Sequence, residues 1–285
     1  MADPVRLDEF IRGATRLPVM PKATVRLIEA LDNGETPAQE IALIVEAEPA
    51  LAARLLKLAN SSFYGMRGRI ATIPKAVVIL GAKTIRSLAL TVWTHTLRAQ
   101  LRSVEEQQLM TPLLMHGLAA ATAARGLVER VDRGLAEDAF TAGLLHDIGR
   151  VALVAQLGLD YQVGIVDPAW HAAMTLHERE QALLGFDHRL LGATLLATWQ
   201  LPAFLAGVAR CHHDGAIAAA DEPVTAAVAL ADDYATRLGF NLLPAFPRTA
   251  PAGLAAFFGL DDQNVEAAFL EQCVGQVRAL SEVLE

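Results

Sequence analysis

The sequence predicts an all-α fold, a two-lobed helical bundle, and three observations predict it. Alanine and leucine are abundant while alternating β-branched runs are scarce, a composition that suits helices. Ser, Thr, Asp and Pro recur at spacings that start helices, and Gly recurs where they stop. Apolar residues make up 53% of the 285, enough to fill one large core or two small ones.

Lys22 to Leu31 reads as a helix stopped by Asn33 and Gly34. Thr36 to Gln39 reads as a capping box with Pro37 at the first helical position, opening a helix to about Glu46. Pro49 opens another, with Leu51, Leu55, Leu58 and Ala59 on one stripe, ending near Ser61 to Gly65. A basic loop with Arg67, Arg69 and Lys75 follows. Thr72 and Pro74 start a short helix ending at Gly81, and a longer one runs from about Lys83 to Leu101. The polar stretch Ser103 to Gln108 marks a boundary between a lobe over residues 1–108 and another over 109–285.

Thr111 and Pro112 start a small-residue helix reaching about Val128, and Glu137 to Ile148 is the central helix. Thr175 to Glu178 is a second capping box, and Gly185 stops that helix. Asp187 caps a helix running to Trp199. Pro202 to His213 and Pro223 to Leu238 are two more. Pro244, Pro247 and Pro251 mark a loop before a final amphipathic helix with Val265, Phe269, Cys273, Val277 and Leu280.

Several function classes are disfavoured. A net charge of −8 argues against a large nucleic-acid footprint. A small one on Phe63, Tyr64, Arg67, Arg69 and Lys75 is outweighed by a packed loop with solvated charges. Apolar runs such as Ala76 to Ala82 fall far short of the ~20 residues that cross a bilayer, and the N-terminus lacks signal-peptide order. Cys211 and Cys273 make no disulfide framework. These features predict a cytoplasmic protein without a membrane segment.

The chemistry concentrates at Leu144 to Gly149. His146 and Asp147 stand side by side after a segment without charge from Ala139 to Leu145. A carboxylate buried there needs partners. Helical spacing supplies them. His116 interrupts the apolar stripe Leu113, Ala120, Ala123, Leu127, and Asp147 shares a face with Phe140, Gly143 and Leu144. His188 lies on the stripe Leu191, Gly192, Leu195, Leu196, Trp199. His212 lies on Leu205, Val208, Ala209, followed by His213. Asp232 falls beside Val224, Val228, Ala231 and Ala235. Five helices each point an ionisable group toward the core. A lone histidine on such a face is usually a hydrogen-bonded core residue. Two carboxylates and five imidazoles together are better satisfied by divalent metal, one or two ions of Fe, Mn, Zn or Co. The pairs His146–Asp147 and His212–His213 precede Gly149 and Gly215, where the backbone can turn, and a shared carboxylate can bridge two ions. His95 reads as structural or exposed, His171 as a loop residue, His177 as solvated on a first turn, and Cys211 as a buried structural thiol.

His116, His146-Asp147 and Asp232 resemble the H…HD…D signature of the HD superfamily of metal-dependent phosphohydrolases. His188 and His212-His213 look like the extra ligands of its two-metal cyclic di-GMP phosphodiesterase branch. The closer resemblance is to the HDOD family of bacterial signalling proteins. It rests on Leu17 to Pro21, Glu48 to Leu51, Arg54 to Ser61, Ile73 to Val77 with Leu80-Gly81, and Trp199 to Pro202, and covers roughly Leu17 to Asp232. It implies an N-terminal lobe packed on an HD-like lobe and a role in signalling or regulation, with no general enzymatic activity established for the family; a signalling protein partner is expected with that role. This sequence departs from the degenerate sites common in that family by keeping the ligand set. It departs from the phosphodiesterases in carrying Arg150 where they have lysine, and in lacking a Gly-Tyr-Pro motif after His213.

The expectation is therefore a regulatory protein that binds divalent metal, with a nucleotide or phosphate as a further ligand. No receiver or cyclase segment is evident, so its input is expected from another molecule. The competing expectation is a metal-dependent phosphohydrolase. In it His116, His146, Asp147 and Asp232 hold one ion, and Asp147, His188, His212 and His213 the other. Asp147 and Arg150 would be catalytic only in that case.

Overall fold

The computed structural model describes residues 4–65, 69–101, 103–165, 174–240 and 250–284. All its regular elements are helical, with no strand among the described residues. The chain divides into two compact units. One comprises residues up to Pro18 and Arg98–Leu270, the other Val19–Leu97 and Glu271–Glu285.

The smaller unit holds α2 (Lys22–Asp32), α3 (Ala38–Glu46), α4 (Pro49–Ala59) and α5 (Ile73–Thr96). Leu27, Val45, Leu55, Leu58, Ile73 and Ile85 are its fully buried centre. The expected stripe on α4 is buried throughout. Asn60 then locks the following loop: its amide donates to Leu56 O (2.7 Å) and Ile70 O (2.8 Å) and accepts from Ile70 N (2.8 Å). Arg67 lies outside the described residues, while Arg69 and Lys75 are exposed. Gly81 adopts φ 80°, ψ 164° inside α5, so the expected break falls where only glycine is unstrained. Residues 73–100 are long and apolar enough to cross a bilayer by composition, which the run-length argument missed. However, 61% of its most apolar 18-residue stretch is buried against protein, as in a core helix.

Two start signals are corrected. The capping box at Thr36 does not form, because Pro37 is extended (φ −63°, ψ 146°) and the helix begins one residue later without a side-chain cap. The helix expected from Thr111 starts at Val104 instead. Ser103 caps it by accepting from Glu106 N, and Pro112 sits inside α6 (Val104–Val128). The polar stretch was the exposed side of two helical turns.

The larger unit is built on α6. It also contains α1 (Pro4–Gly13), α7 (Ala136–Leu145), α8 (Ile148–Leu157), α9 (Leu159–Ile165), α10 (Leu176–Leu184) and α11 (His188–Thr198). Then come α12 (Ala203–Cys211), α13 (Pro223–Arg237), α14 (Leu254–Phe257) and the start of α15 (Gln263–Leu284). Helix α7 packs between α6 and α13, and α11 between α8 and α12. Small residues set the closest crossings. A Cβ on Gly143 would stand 2.8 Å from Ala120 O, and one on Gly117 2.9 Å from Leu144 O. The buried alanines of α6 therefore bring His116 beside the end of α7. Residues 241–249, including Pro244 and Pro247, lie outside the description. Phe269, Cys273, Val277 and Leu280 on α15 are buried, but Val265 is 41% exposed in the first turn, before that stripe is covered.

Candidate metal centre

The expected central helix is two helices. α7 ends at Leu145, His146 closes it, and Asp147 (φ −100°, ψ 18°) precedes α8. The turn therefore falls on the His146-Asp147 pair itself, which corrects the placement of the turn at Gly149. Gly149 has a different use. A Cβ there would stand 1.9 Å from His188 O, so glycine allows α8 to touch the start of α11.

All seven sequence-selected residues converge in the larger unit. His116, His146, Asp147, His188, His212 and Asp232 are buried, and His213 is nearly so, its side chain 13% exposed. Asp147 is central, and its two oxygens face different groups. Oδ1 lies 3.5 Å from His188 Nε2 and 3.6 Å from His212 Nε2. Oδ2 lies 3.9 Å from His116 Nε2 and 3.7 Å from His146 Nε2. Asp232 Oδ1 is 2.9 Å from His116 Nε2 and 3.8 Å from His146 Nε2, while its Oδ2 is 3.5 Å from His213 Nδ1.

Helix ends orient the rings. His146 Nδ1 donates to Gly143 O (2.7 Å) and His212 Nδ1 to Ala209 O (2.9 Å), each closing its helix. His188 Nδ1 pairs with Glu180 Oε2 at 2.5 Å, and the same oxygen accepts from His188 N. His116 Nδ1 bonds Phe240 O at 2.6 Å. With Nδ1 protonated, the rings of His146, His188 and His212 turn an Nε2 lone pair inward, the arrangement of histidine ligands, while His116 Nε2 pairs with Asp232 Oδ1.

The fit to a metal is direct. Nε2 of His146, His188 and His212 and Oδ1 of Asp147 are buried without a hydrogen-bond partner. Such atoms cost ~1–3 kcal/mol each when unsatisfied. Three groups can each converge on one ion: Asp147 with His188, His212 and His213; His116 with His146 and Asp147; and His146 with His212 and Asp232. Ligand atoms ~2.1 Å from an ion lie ~3.0–3.4 Å apart, close to the Oδ1 distances above. The buried His/Asp groups can therefore hold a metal.

Electrostatics support a charged Asp147 carboxylate with neutral His212 and His116 rings. Burial alone would raise the Asp147 pKa, but Arg150, His146, His212 and His188 hold it well below the usual range. Burial pushes His212 down to about 4, reinforced by His146 and opposed by Asp147. His116 is also lowered by burial. Burial opposes the charge on His146 too, yet Asp147 and Asp232 outweigh it and raise its pKa.

Glu180 was not singled out from the sequence, and His177 and Cys211 sit differently from the expectation. Glu180 is fully buried under His188 and accepts from Tyr161 OH at 2.7 Å. Its position in the charged run of α10 signalled solvent. His177 is half-buried and stacks on His213, centroids 5.5 Å apart, although its first-turn position predicted exposure. Cys211 is half-buried, not buried, because it closes the exposed end of α12. Burial and Asp214 raise its thiol pKa, and it joins no ligand group among the described residues. His171 lies outside the described residues. Arg150 is 3% exposed, with Nη1 2.6 Å from Asp147 Oδ2. The guanidinium that the hydrolase expectation makes catalytic is thus paired with Asp147.

Comparison with known proteins agrees with this fold. An uncharacterised protein of Treponema pallidum (strain Nichols) is 24% identical over 202 residues, 70% of this chain, which spans only 38% of that protein's length. A crystal structure of an HDOD domain protein of unknown function from Geobacter sulfurreducens superposes with a TM-score of 0.79 at 24% identity, covering 98% of this chain and 97% of that one. A Shewanella amazonensis SB2B protein provisionally named a phosphohydrolase gives 0.72 at 24%, covering 98% of each. A Marinobacter aquaeolei VT8 protein provisionally named for signal transduction gives 0.69 at 23%, covering 99% of this chain and 64% of that one. The HDOD domain model matches residues 17–215, most of the chain, and the chain belongs to the HDOD family.

Proposed function

We propose that this chain is a cytoplasmic bacterial regulatory protein whose larger unit holds divalent metal in the cluster around Asp147, and which passes a signal to a protein partner. The observation that carries the metal reading is the set of four inward-facing buried atoms: Nε2 of His146, His188 and His212, and Oδ1 of Asp147. An ion there satisfies them together and fixes α7, α11 and α12 to one point. Binding or loss of the ion, or of a nucleotide or phosphate added to it, would then change how these helices sit. The division of labour keeps the order read from the sequence with the bounds of the two units: the larger unit carries the centre, and the smaller, mostly Val19–Leu97, provides the partner-facing lobe. Affinity capture from cells with metal present, using the full chain and a variant with Leu43→Asp and Val78→Asp on the exposed surface of the smaller unit, tests the second half. Identical partner sets from both would contradict it.

A second reading is a metal-dependent phosphohydrolase. The splitting of the two Asp147 oxygens between histidine groups supports it, and the provisional name of the Shewanella protein points the same way. Bound metal would supply an activated water and a Lewis acid for a phosphate. Hydrolysis of cyclic dinucleotides, nucleotides or generic phosphodiesters by metal-loaded protein, absent from folded His146→Ala, is the expected result. Inactivity across that panel would contradict this reading.

A further inference from the structure

We propose that Arg150 sets the metal stoichiometry of the centre: it holds Oδ2 of Asp147, so one ion is seated tightly by Asp147 Oδ1, His188, His212 and His213, and the half lined by His116, His146 and Asp232 binds weakly. The proposal rests on the metal-binding reading above and gives that reading a count and a position.

The two halves of the cluster are in different states. On one side Asp147 Oδ1, His188 Nε2 and His212 Nε2 are all buried and unpartnered. On the other, Asp147 Oδ2 carries the guanidinium at 2.6 Å, and Asp232 Oδ1 lies 2.9 Å from His116 Nε2. His146 Nε2 is the one atom there without a partner. An ion entering among Asp147 Oδ1, His188 Nε2 and His212 Nε2 breaks no hydrogen bond of theirs, and His213, 3.5 Å from Asp232 Oδ2, stands beside them. An ion entering the second half must share Oδ2 with a guanidinium held in the interior, Arg150 being 3% exposed.

Charge favours the same outcome. Asp147, Asp232 and Glu180 are buried carboxylates and Arg150 is the fixed cation beside them, while a metal ion displaces any proton held by the ligating rings. One divalent ion brings this set to neutrality, whereas a second leaves two positive charges in a water-poor region, next to a guanidinium. Position fixes this residue as well. Arg150 follows Asp147 by one helical turn in α8, and Glu180 adds to the attraction that holds its charge in place. The planar fork of arginine binds a carboxylate oxygen at fixed distance, which a lysine in its place would do less rigidly.

The test is Co(II) titration of the metal-free full chain, read by visible absorption and by elemental analysis after gel filtration. Wild type is expected to retain one Co(II) per chain. Arg150→Met, which keeps an apolar stem of similar reach, is expected to retain two, the second bound at least ~10-fold more tightly than in wild type. Circular dichroism melts establish that the variant is folded. A separate pair decides the position even if that variant does not fold: His212→Ala should lose the tight ion and His116→Ala should keep it. Two tightly held ions in wild type, one in a folded Arg150→Met, or the reverse result in the histidine pair would overturn the role of Arg150 while leaving metal binding in place. No bound ion in wild type would remove the metal reading itself.

Discussion

Glu180 holds His188 by two hydrogen bonds, one from the backbone N–H and one from the ring Nδ1, and so decides which nitrogen of His188 faces Asp147. A carboxylate behind a histidine fixes its tautomer and raises its basicity as a ligand. Glu180→Gln should therefore weaken metal affinity ~10–100-fold while preserving side-chain volume. Competition with a chromophoric chelator measures this. Unchanged affinity would show that the pair is purely structural.

Asp147 and Arg150 are a buried ion pair as well as part of the centre. Asp147→Ala leaves the guanidinium buried without its partner, which costs ~3–5 kcal/mol. Urea denaturation in the presence of a chelator isolates this term from metal binding. Adding Arg150→Met to Asp147→Ala should recover much of the loss. A double variant no more stable than the single one would contradict the pairing.

The metal-free protein should lose stability on acidification. His212 has a folded pKa of about 4 against an ordinary 6.5, so between those values the unfolded chain takes up a proton that the folded chain refuses. Its contribution is present above about 6.5 and is lost as pH falls toward about 4. His146 acts oppositely: its raised pKa adds stability at low pH that disappears as pH rises through the folded value. Chemical shifts of the two rings in chelated protein separate them. His212 should stay neutral at a pH where His146 is charged, and the reverse order would contradict the assignment.

Gly149→Ala should disrupt the centre without touching a ligand. The added methyl would overlap His188 O, and no side-chain rotation relieves a clash with backbone. Separation of α8 from α11 should cost ~1–3 kcal/mol or more and lower metal affinity together. A variant with wild-type melting temperature and metal content would contradict this packing.

The burial of His116, Asp147, His188, His212 and Asp232 was legible because each interrupts an otherwise apolar stripe at helical spacing; His146 and His213 were reached only as the chain neighbours of Asp147 and His212. The supporting residues were not legible for the same reason in reverse. Glu180 and His177 sit in α10 among residues suited to water, and only the packing of that helix covers them. Arg150 lies in an apolar segment, but its direction depends on the break at Asp147, which local signals placed two residues late. The start of α6 was hidden because Pro112 imitates a helix opening, while Ser103 provides the actual cap. Most other boundaries followed from capping chemistry, as at Thr175, Asp187 and Gly185.

The central claim is that the inward-facing atoms around Asp147 hold a divalent ion. Elemental analysis of wild-type protein purified without chelators, beside folded His188→Ala and His212→Ala, tests it most directly. The expected result is about one ion per wild-type chain and a marked loss in both variants, as removal of one inward Nε2 breaks the set. Folded wild-type protein that carries no metal, and takes up none when Mn, Fe, Co or Zn is supplied, would contradict it.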